Sequence, residues 1–349
     1  MSAPLTRRHF LGTTAAAVLA PAMLRPAAAA AVTNLAVGSI GHSIAHFPLF
    51  VGEQLGYFQR NGVDIGTVTE FSTGALTDTA VTAGSIDIGS SVITDVFSLV
   101  KAGRSGKIIS AGTNAFYVDI IASKDFLAAS KLNEKSSLSD KIHAMRGKNI
   151  GITGPGSGTE ALVLYLLKQG NIDRTRDVQL VNVGANIPAV LAALQANRVD
   201  MVSFAWPLGQ QAQVEGIGET FVSPARGDVP AMAHQLHGVV YTTQDDIDKK
   251  HAAIVGFVRG YADACTTILK DPARSRDLLK AFYPNLDPKA LDLTLEIYRT
   301  TSVPASPLPS EAGFTRAVKF HQAVGLISEE YAYNDLVATR VIAEALAKR

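Results

Sequence analysis

The sequence predicts an α/β fold: two lobes, each a βαβαβ parallel-sheet unit, followed by a helical C-terminal part. Three observations predict it. A strand, a glycine-rich loop and a helix follow one another over 148–169, a similar series lies about 114 residues upstream, and the chain after Thr243 carries helical patterns only.

The first series opens with a strand at 34–38 and a loop at 39–43, then a helix near 48–58. A strand over 63–71, a small-residue loop at 72–74 and a helix near 75–83 follow, and the series closes in Gly84-Ser85-Ile86-Asp87-Ile88-Gly89-Ser90-Ser91. The second series has a strand at 148–153, the glycine loop, a helix at 159–169, a strand at 178–183, a loop at 184–186 and a helix near 187–196. It closes in Asn197-Arg198-Val199-Asp200-Met201-Val202-Ser203-Phe204. The offset holds: Leu35 to Asn149 is 114, Asp64 to Val178 is 114, and Asp87 to Asp200 is 113. Each unit places its loops at the carboxyl ends of its strands, where open α/β sheets bind ligands, and two such lobes facing each other make a cleft.

Segment 124–144, rich in Lys, Ser, Asn and Asp, reads as an exposed insertion or a helix entering the second lobe. Stretches around 117–122 and 236–240 flank that lobe as hinge crossings. Helices are expected over 245–270, 272–283, 287–298, 310–323 and 328–347, with Pro304-Ala305-Ser306-Pro307-Leu308-Pro309 a rigid connection. The domain boundaries expected are 1–30 for an export segment, 31–118 plus 240–349 for a discontinuous lobe one, and 119–239 for lobe two.

The loop Gly154-Pro155-Gly156-Ser157-Gly158-Thr159 is a helix start with free N–H groups and two hydroxyls, the grammar of an anion site. Nucleotide readings fail on spacing. GxGxG is not the dinucleotide pattern GxGxxG, the strand at 178–183 ends without Asp or Glu, and no lysine follows Gly158 as a P-loop requires. The same pattern also suits plain N-capping by Ser157 or Thr159.

Of 349 residues, 47% are hydrophobic and 18% charged, enough for one or two domains with proper cores. The formal net charge of +1 and the lack of a basic, aromatic-interleaved run argue against nucleic acid as a partner. A single cysteine, Cys265, excludes an internal disulfide and a cysteine-based zinc cluster. Thr6-Arg7-Arg8-His9-Phe10-Leu11, an apolar stretch to Leu24 and the alanines 27–31 match a twin-arginine signal with Ala-x-Ala cleavage sites. Its removal leaves 29 basic and 31 acidic residues. No cysteine stands at the cleavage region for a lipid anchor, so a soluble periplasmic protein is expected.

The chain resembles the solute-binding proteins of nitrate/sulfonate/taurine-type ABC importers, a superfamily that includes thiamine-pyrimidine synthase-like proteins. The resemblance runs over the mature chain. It is carried by Pro48-Leu49-Phe50-Val51-Gly52-Glu53-Gln54-Leu55-Gly56-Tyr57-Phe58 with Gly62-Val63-Asp64-Ile65, by Gly84-Ser85-Ile86-Asp87-Ile88-Gly89, by Arg146-Gly147-Lys148 with the 154–159 loop, and by Val199-Asp200 with Trp206-Pro207. It implies a two-lobed periplasmic-binding-protein-like (type II) fold that closes on solute, no catalysis and no cofactor. The implied partners are a membrane permease and an ATPase, and the chain is expected to be a monomer.

Solute contacts are then expected from Ser39, His42, His46, Thr73, Gly74, Ser90 and Ser91 of lobe one and from Ser157, Gly158, Thr159, Asn186 and Trp206 of lobe two. Phe116 and Tyr117 are placed to stack beside the hinge. None is Lys or Arg, so helix N-termini, hydroxyls and a protonated histidine would hold an anion, which favours a neutral or singly charged solute. Sulfonates, aromatic carboxylates, nitrate and neutral heterocycles all suit such a cleft; the three aromatic residues lean toward an organic solute. His42 and His46, at i and i+4, would be two zinc ligands on one helix face, too few without a third; no metal is expected. His234 and His237 are expected to make a hinge hydrogen bond. Two other classes compete: an enzyme of the thiamine-pyrimidine synthase kind, whose cysteine-rich stretch this chain lacks, and a periplasmic sensor or a binding protein of another transporter type.

Overall fold

The computed structural model describes Met1 and residues 32–347. The expected export segment, Met1 apart, lies outside the described residues.

The first part of the chain forms β1 (Thr33–Asn34), β2 (Val37–Ile40), α1 (Phe47–Gln54), α2 (Tyr57–Arg60), β3 (Val63–Asp64), β4 (Thr69–Phe71), α3 (Gly74–Thr82), β5 (Ile88–Val92), α4 (Ile93–Lys101) and β6 (Gly106–Ala111). The middle forms β7 (Val118–Ser123), α5 (Lys124–Ser130), α6 (Leu138–His143), β8 (Asn149–Ile152), α7 (Gly158–Gln169), β9 (Gln179–Asn182), α8 (Ile187–Gln195), β10 (Met201–Ala205), α9 (Leu208–Val214) and β11 (Gly218–Val222). Then come β12 (Gly238–Thr243), α10 (Gln244–Lys270), α11 (Pro272–Phe282), α12 (Pro288–Ile297), α13 (Glu311–Ala323), α14 (Tyr333–Leu336) and α15 (Thr339–Ala347).

Two five-stranded sheets result, in the orders β4-β2-β5-β12-β6 and β9-β8-β10-β7-β11. Their correspondence is complete. Three parallel strands from a βαβαβ unit lie on one side in each. An antiparallel strand that has just crossed from the other lobe lies next to them, β12 in the first sheet and β7 in the second. The βαβαβ units are parallel, as expected, and the crossing strand makes each complete sheet mixed. The crossing strands Val118–Ser123 and Gly238–Thr243 are buried along their whole length, as an inner strand covered on both faces must be.

The internal repeat has a physical basis. In lobe one the Asp87 carboxylate accepts the Ala36 N–H (2.9 Å) while the Asp87 N–H donates to the Ala36 carbonyl (2.7 Å). In lobe two Asp200 does the same with Asn149, at 2.8 and 2.9 Å, again 51 residues away. The turns before these aspartates also match: Gly84 (φ 71°) and Asn197 (φ 54°) both take the left-handed conformation that ends a helix.

One local expectation is corrected and one open alternative is decided. The strand expected over 63–71 is broken, because the Asp64 side chain accepts the Gly66 N–H (3.0 Å) and Gly66 turns at φ 53°. β3 pairs with β1 in a separate ribbon, and only β4 joins the main sheet. Segment 124–144 takes the second of its two expected forms, helices entering lobe two. Phe126 and Ile142 enter the lobe-two core, and Lys141 is buried with its ammonium donating to the Glu134 carbonyl (2.6 Å) and 3.5 Å from Asp228.

The C-terminal helices wrap both lobes. α10 is long and apolar enough to cross a membrane by length and composition, but most of it is buried against α1, α2 and α15. Phe320 on α13 enters the lobe-two core, and Lys168 on α7 donates to the Ala323 carbonyl (2.9 Å).

The two crossings meet backbone to backbone. The N–H groups of Gly112 and Thr113 donate to the Gly238 carbonyl (2.8 and 3.0 Å), and the Gly238 N–H donates to the Thr113 hydroxyl (2.7 Å). A Cβ on Gly112 would stand 2.9 Å from the Gly238 carbonyl carbon, so glycine is required for this approach.

Asp87→Ala should lower unfolding stability by about 2–3 kcal/mol in urea titrations, since it strands the Ala36 N–H and breaks the ion pair to Lys250. Asp200→Ala should cost less, because Asp200 is half-exposed and its Lys148 partner is 3.9 Å away. Equal losses would show that the pairing to Lys250 contributes nothing.

Candidate functional site

The β2 strand ends in Ser39-Ile40 and turns through Gly41, His42 and Ser43 into a short 3₁₀ turn at Ile44–His46. The two histidines of this turn diverge. His46 is buried, with Nε2 3.0 Å from the Ile40 carbonyl and Nδ1 2.7 Å from the Ser90 hydroxyl. A carbonyl only accepts, so Nε2 carries the hydrogen and Nδ1 accepts from Ser90. Burial drives the His46 pKa down to about 4, so the ring is neutral. A protonated, ligand-holding His46 is thereby corrected: the ring ties β2 to β5. His42 points the other way, half-exposed and stacked on Phe282 (3.9 Å between ring centres). Its Nε2 lies 2.6 Å from the Phe282 carbonyl and its Nδ1 3.1 Å from Glu70. The two rings do not share a helix face. Among the described residues no three His, Cys, Asp or Glu side chains group to hold a metal ion.

Two of the other lobe-one candidates, Gly74 and Ser91, stand against a buried carboxylate pair, Asp78 and Asp95. Ser91 donates to Asp95 and Tyr241 donates to Asp78 (2.7 Å). Gly74 begins α3 against Asp95, where a Cβ would overlap the carboxylate. Desolvation, then the neighbouring Asp95, lifts the Asp78 pKa to about 7; desolvation lifts Asp95 to about 6. Thr73 is exposed and caps α3 by accepting the Leu76 N–H (3.3 Å). Ser39 lies inside the sheet, paired with Ser90.

In lobe two the glycine loop closes on itself. Ser157 donates to the Gly154 carbonyl (2.7 Å) and caps α7 by accepting the Glu160 N–H (3.2 Å). The Thr159 hydroxyl accepts the Thr153 N–H (3.0 Å) and lies 2.7 Å from the Ser157 hydroxyl. Asn186 caps α8 through the Ala189 N–H (3.0 Å). Trp206 follows β10, is 2% exposed and packs in the lobe-one apolar cluster, although it belongs to a lobe-two loop. Its indole N–H donates to Asp119 (2.7 Å), and burial raises that carboxyl's pKa to about 6 against the hydrogen bonds from Ser223 and Trp206.

These pieces meet at two places. A cavity of about 600 Å³ opens between the lobes, with His42 and the Phe282–Leu286 loop on one wall and Asn186, Leu191, Pro207 and Gln211 on the other. That volume suits a small organic molecule, and none of the lining residues is Lys or Arg. Outside this cavity's lining, Phe116 and Tyr117 pack at a tilt against His237 (4.1 and 5.0 Å between ring centres), which faces Gly158 at the start of α7. Of the residues expected in one cleft, the structure sets His42 and Asn186 on the cavity and Phe116, Tyr117 and Gly158 around His237. Sequence reasoning missed the Phe282-Tyr283 wall, which sits between two helices far from any strand end, and the Asp78–Asp95 pair. Nothing local in the sequence signals either.

Residues 28–282 match the NMT1-like family. The chain belongs to the NMT1-like family. It is 22% identical over 338 residues to the protein YtlA of Bacillus subtilis (strain 168), covering 91% of each chain. Its fold is that of periplasmic binding proteins. It resembles the periplasmic nitrate-binding protein NrtA of Synechocystis PCC 6803, with TM-score 0.68, 12% identity, and 91% of this chain and 89% of that one covered. It also resembles the alkanesulfonate-binding protein SsuA of Xanthomonas axonopodis pv. citri, bound to MOPS, with TM-score 0.64, 18% identity, and 91% and 99% covered.

In this NMT1-like chain the Asp78–Asp95 pair makes stability pH-dependent. Both carboxyls hold their proton more tightly folded than unfolded. Their contribution is therefore fully present below about pH 4 and is lost as pH rises through about 6 to 7. Asp78→Asn keeps the acceptor for Tyr241 without a charge. It should melt about 2–4 °C above the wild type at pH 8, with the gap closing near pH 4, by calorimetry. A gap independent of pH would show that Asp78 does not carry the effect.

Proposed function

We propose that the chain is the extracytoplasmic solute-binding component of an ABC importer. It takes a small organic solute with a single sulfonate or carboxylate group, aromatic in part, in the inter-lobe cleft. The observation that carries this reading is the cavity walled by both lobes, with the N-terminus of α8, at the carboxyl end of β9, on its lobe-two wall. Helix N-termini supply oriented N–H groups, and the lack of lysine and arginine limits the charge the cleft can stabilise. The sulfonate and nitrate specificities of its structural relatives support the same class of solute.

Closure would bend the crossings around 117–122 and 236–240, beside which Gly112 and Thr113 bond the Gly238 backbone and His237 packs against Phe116 and Tyr117. The closed form would be read by a membrane permease and its ATPase. A binding role is favoured over catalysis by the Ser90–His46 pair. It is a serine and a histidine at hydrogen-bond distance, but both are buried between β2 and β5, and the Nε2 that would hand on a proton is bonded to a carbonyl. Export by the twin-arginine route, cleavage near Ala31 and a soluble periplasmic monomer complete the reading.

A thermal-shift screen of small sulfonates, carboxylates and pyrimidines tests it. A hit at a hundredfold excess over Kd should add about 2.7 kcal/mol of stability, and small-angle scattering should show a more compact protein. Gly158→Val, placing methyl groups against His237, should abolish that shift while the fold persists. Turnover of a hit, or no hit in any class, would overturn the reading. Replacing Arg7 and Arg8 with Lys should leave uncleaved precursor in the cytoplasm, visible by intact mass; continued export would mean another route.

A further inference from the structure

His237 ends the second crossing, immediately before β12. Its backbone is anchored on both sides: the N–H donates to the Thr113 carbonyl (3.2 Å) and the carbonyl accepts the Ile93 N–H (2.9 Å). The ring is 2% exposed, and its Nδ1 has no hydrogen-bond partner. Burial, with a smaller effect from His321, lowers its pKa to about 3. The imidazole is thus neutral, with one N–H and one lone pair. Its edge faces α7: a Cβ built on Gly158 would lie 3.6 Å from Cε1, the carbon between the two nitrogens, and 3.8 Å from Nε2.

The start of α7 has orphan groups of its own. Ser157 takes the Glu160 N–H, and the Ser157 N–H goes to Gly154. The N–H groups of Gly158 and Thr159 have no partner among the described residues, as expected of a first helical turn. The ring and the helix start, from different parts of the chain, therefore meet at the lobe junction, through Cε1 and Nε2.

We propose that His237 and the N–H groups of Gly158 and Thr159 form the subsite that grips the solute's oxyanion, a carboxylate or sulfonate, when the lobes close. The proposal rests on the binding reading above. The α7 terminus supplies donors, and the imidazole supplies one more without adding charge. Glu160 sits in the same first turn, with its carboxylate accepting the Gly156 N–H (2.6 Å) and pairing with Arg174 (3.1 Å). It already offsets part of the positive helix end, so a single negative charge is tolerated there and a double one is not. His237 is also held by rings, Phe116 on one side and Tyr117 nearby, so its orientation is preset for a hydrogen bond.

The test uses the mature, isotopically labelled protein with three probes: benzoate, benzenesulfonate and phenyl phosphate. One or both monoanions should shift the amide signals of Gly158 and Thr159 and the ring signals of His237 together, and phenyl phosphate should not. His237→Phe, which keeps a ring against Phe116, should weaken that monoanion at least tenfold by calorimetry. His237→Gln, which restores an N–H, should recover part of the loss. If His237→Phe does not fold, His237→Gln and the ring signals still decide.

Three results would overturn the subsite: amide shifts with an unmoved His237 ring, phenyl phosphate bound as well as the monoanions, or no response to either monoanion. Binding that shifts only the signals around His42 and Asn186 would keep the binding reading and overturn this subsite.

Discussion

The structure depends on a carboxylate that ties the first strand of each lobe to the third. Asp87 and Asp200 each close a two-way pair of hydrogen bonds with a residue 51 positions earlier, just after a left-handed turn has ended a helix. A strand pairing can slip by one residue and turn every side chain to the other face. These carboxylates remove that freedom where the parallel strands begin, because each satisfies an N–H that the sheet leaves unpaired. The far ends of the same strands carry the loops at 41–43, 154–158 and 205–207. Their positions at the cleft follow from a register set on the opposite edge of the sheet.

The cleft side of the molecule is built from dipoles. Three histidines, His46, His237 and His321, are kept neutral by burial, and each stands between elements that a charged ring would force open. Hydroxyls that look available in the sequence are engaged within the protein: Ser90 by His46, Ser91 by Asp95, and Ser157 and Thr159 by their own loop. Such internal satisfaction is what a preorganised site requires, since an unbonded hydroxyl would reorient when the solute arrives. Among the buried side-chain atoms left without a partner is Nδ1 of His237, beside the first turn of α7.

Trp206 and the glycine pair at 112 and 238 show how the lobes are joined. The indole leaves a lobe-two strand, enters the lobe-one apolar cluster and anchors its nitrogen on Asp119. The glycines let the two backbones approach within hydrogen-bonding distance. Contacts of both kinds are compatible with rotation about a narrow junction, whereas an extended apolar interface would resist it.

The sequence by itself determined the twin βαβαβ units, their offset, the all-helical last third and the loops that end at the cleft. Periodic apolar patterns and turn glycines are local signals, written within a few residues of where they act. Tertiary structure alone decided the rest. The antiparallel strands come from chain crossing between lobes, and an inner strand reads the same whether its neighbour is parallel or antiparallel. The opposite fates of His42 and His46, four residues apart, depend on Phe282, Glu70, Ser90 and burial, which lie 28 to 240 residues away in the chain. The same holds for His237: the ring is chemically ordinary until folding buries it, leaves its Nδ1 without a partner and places it against the start of α7.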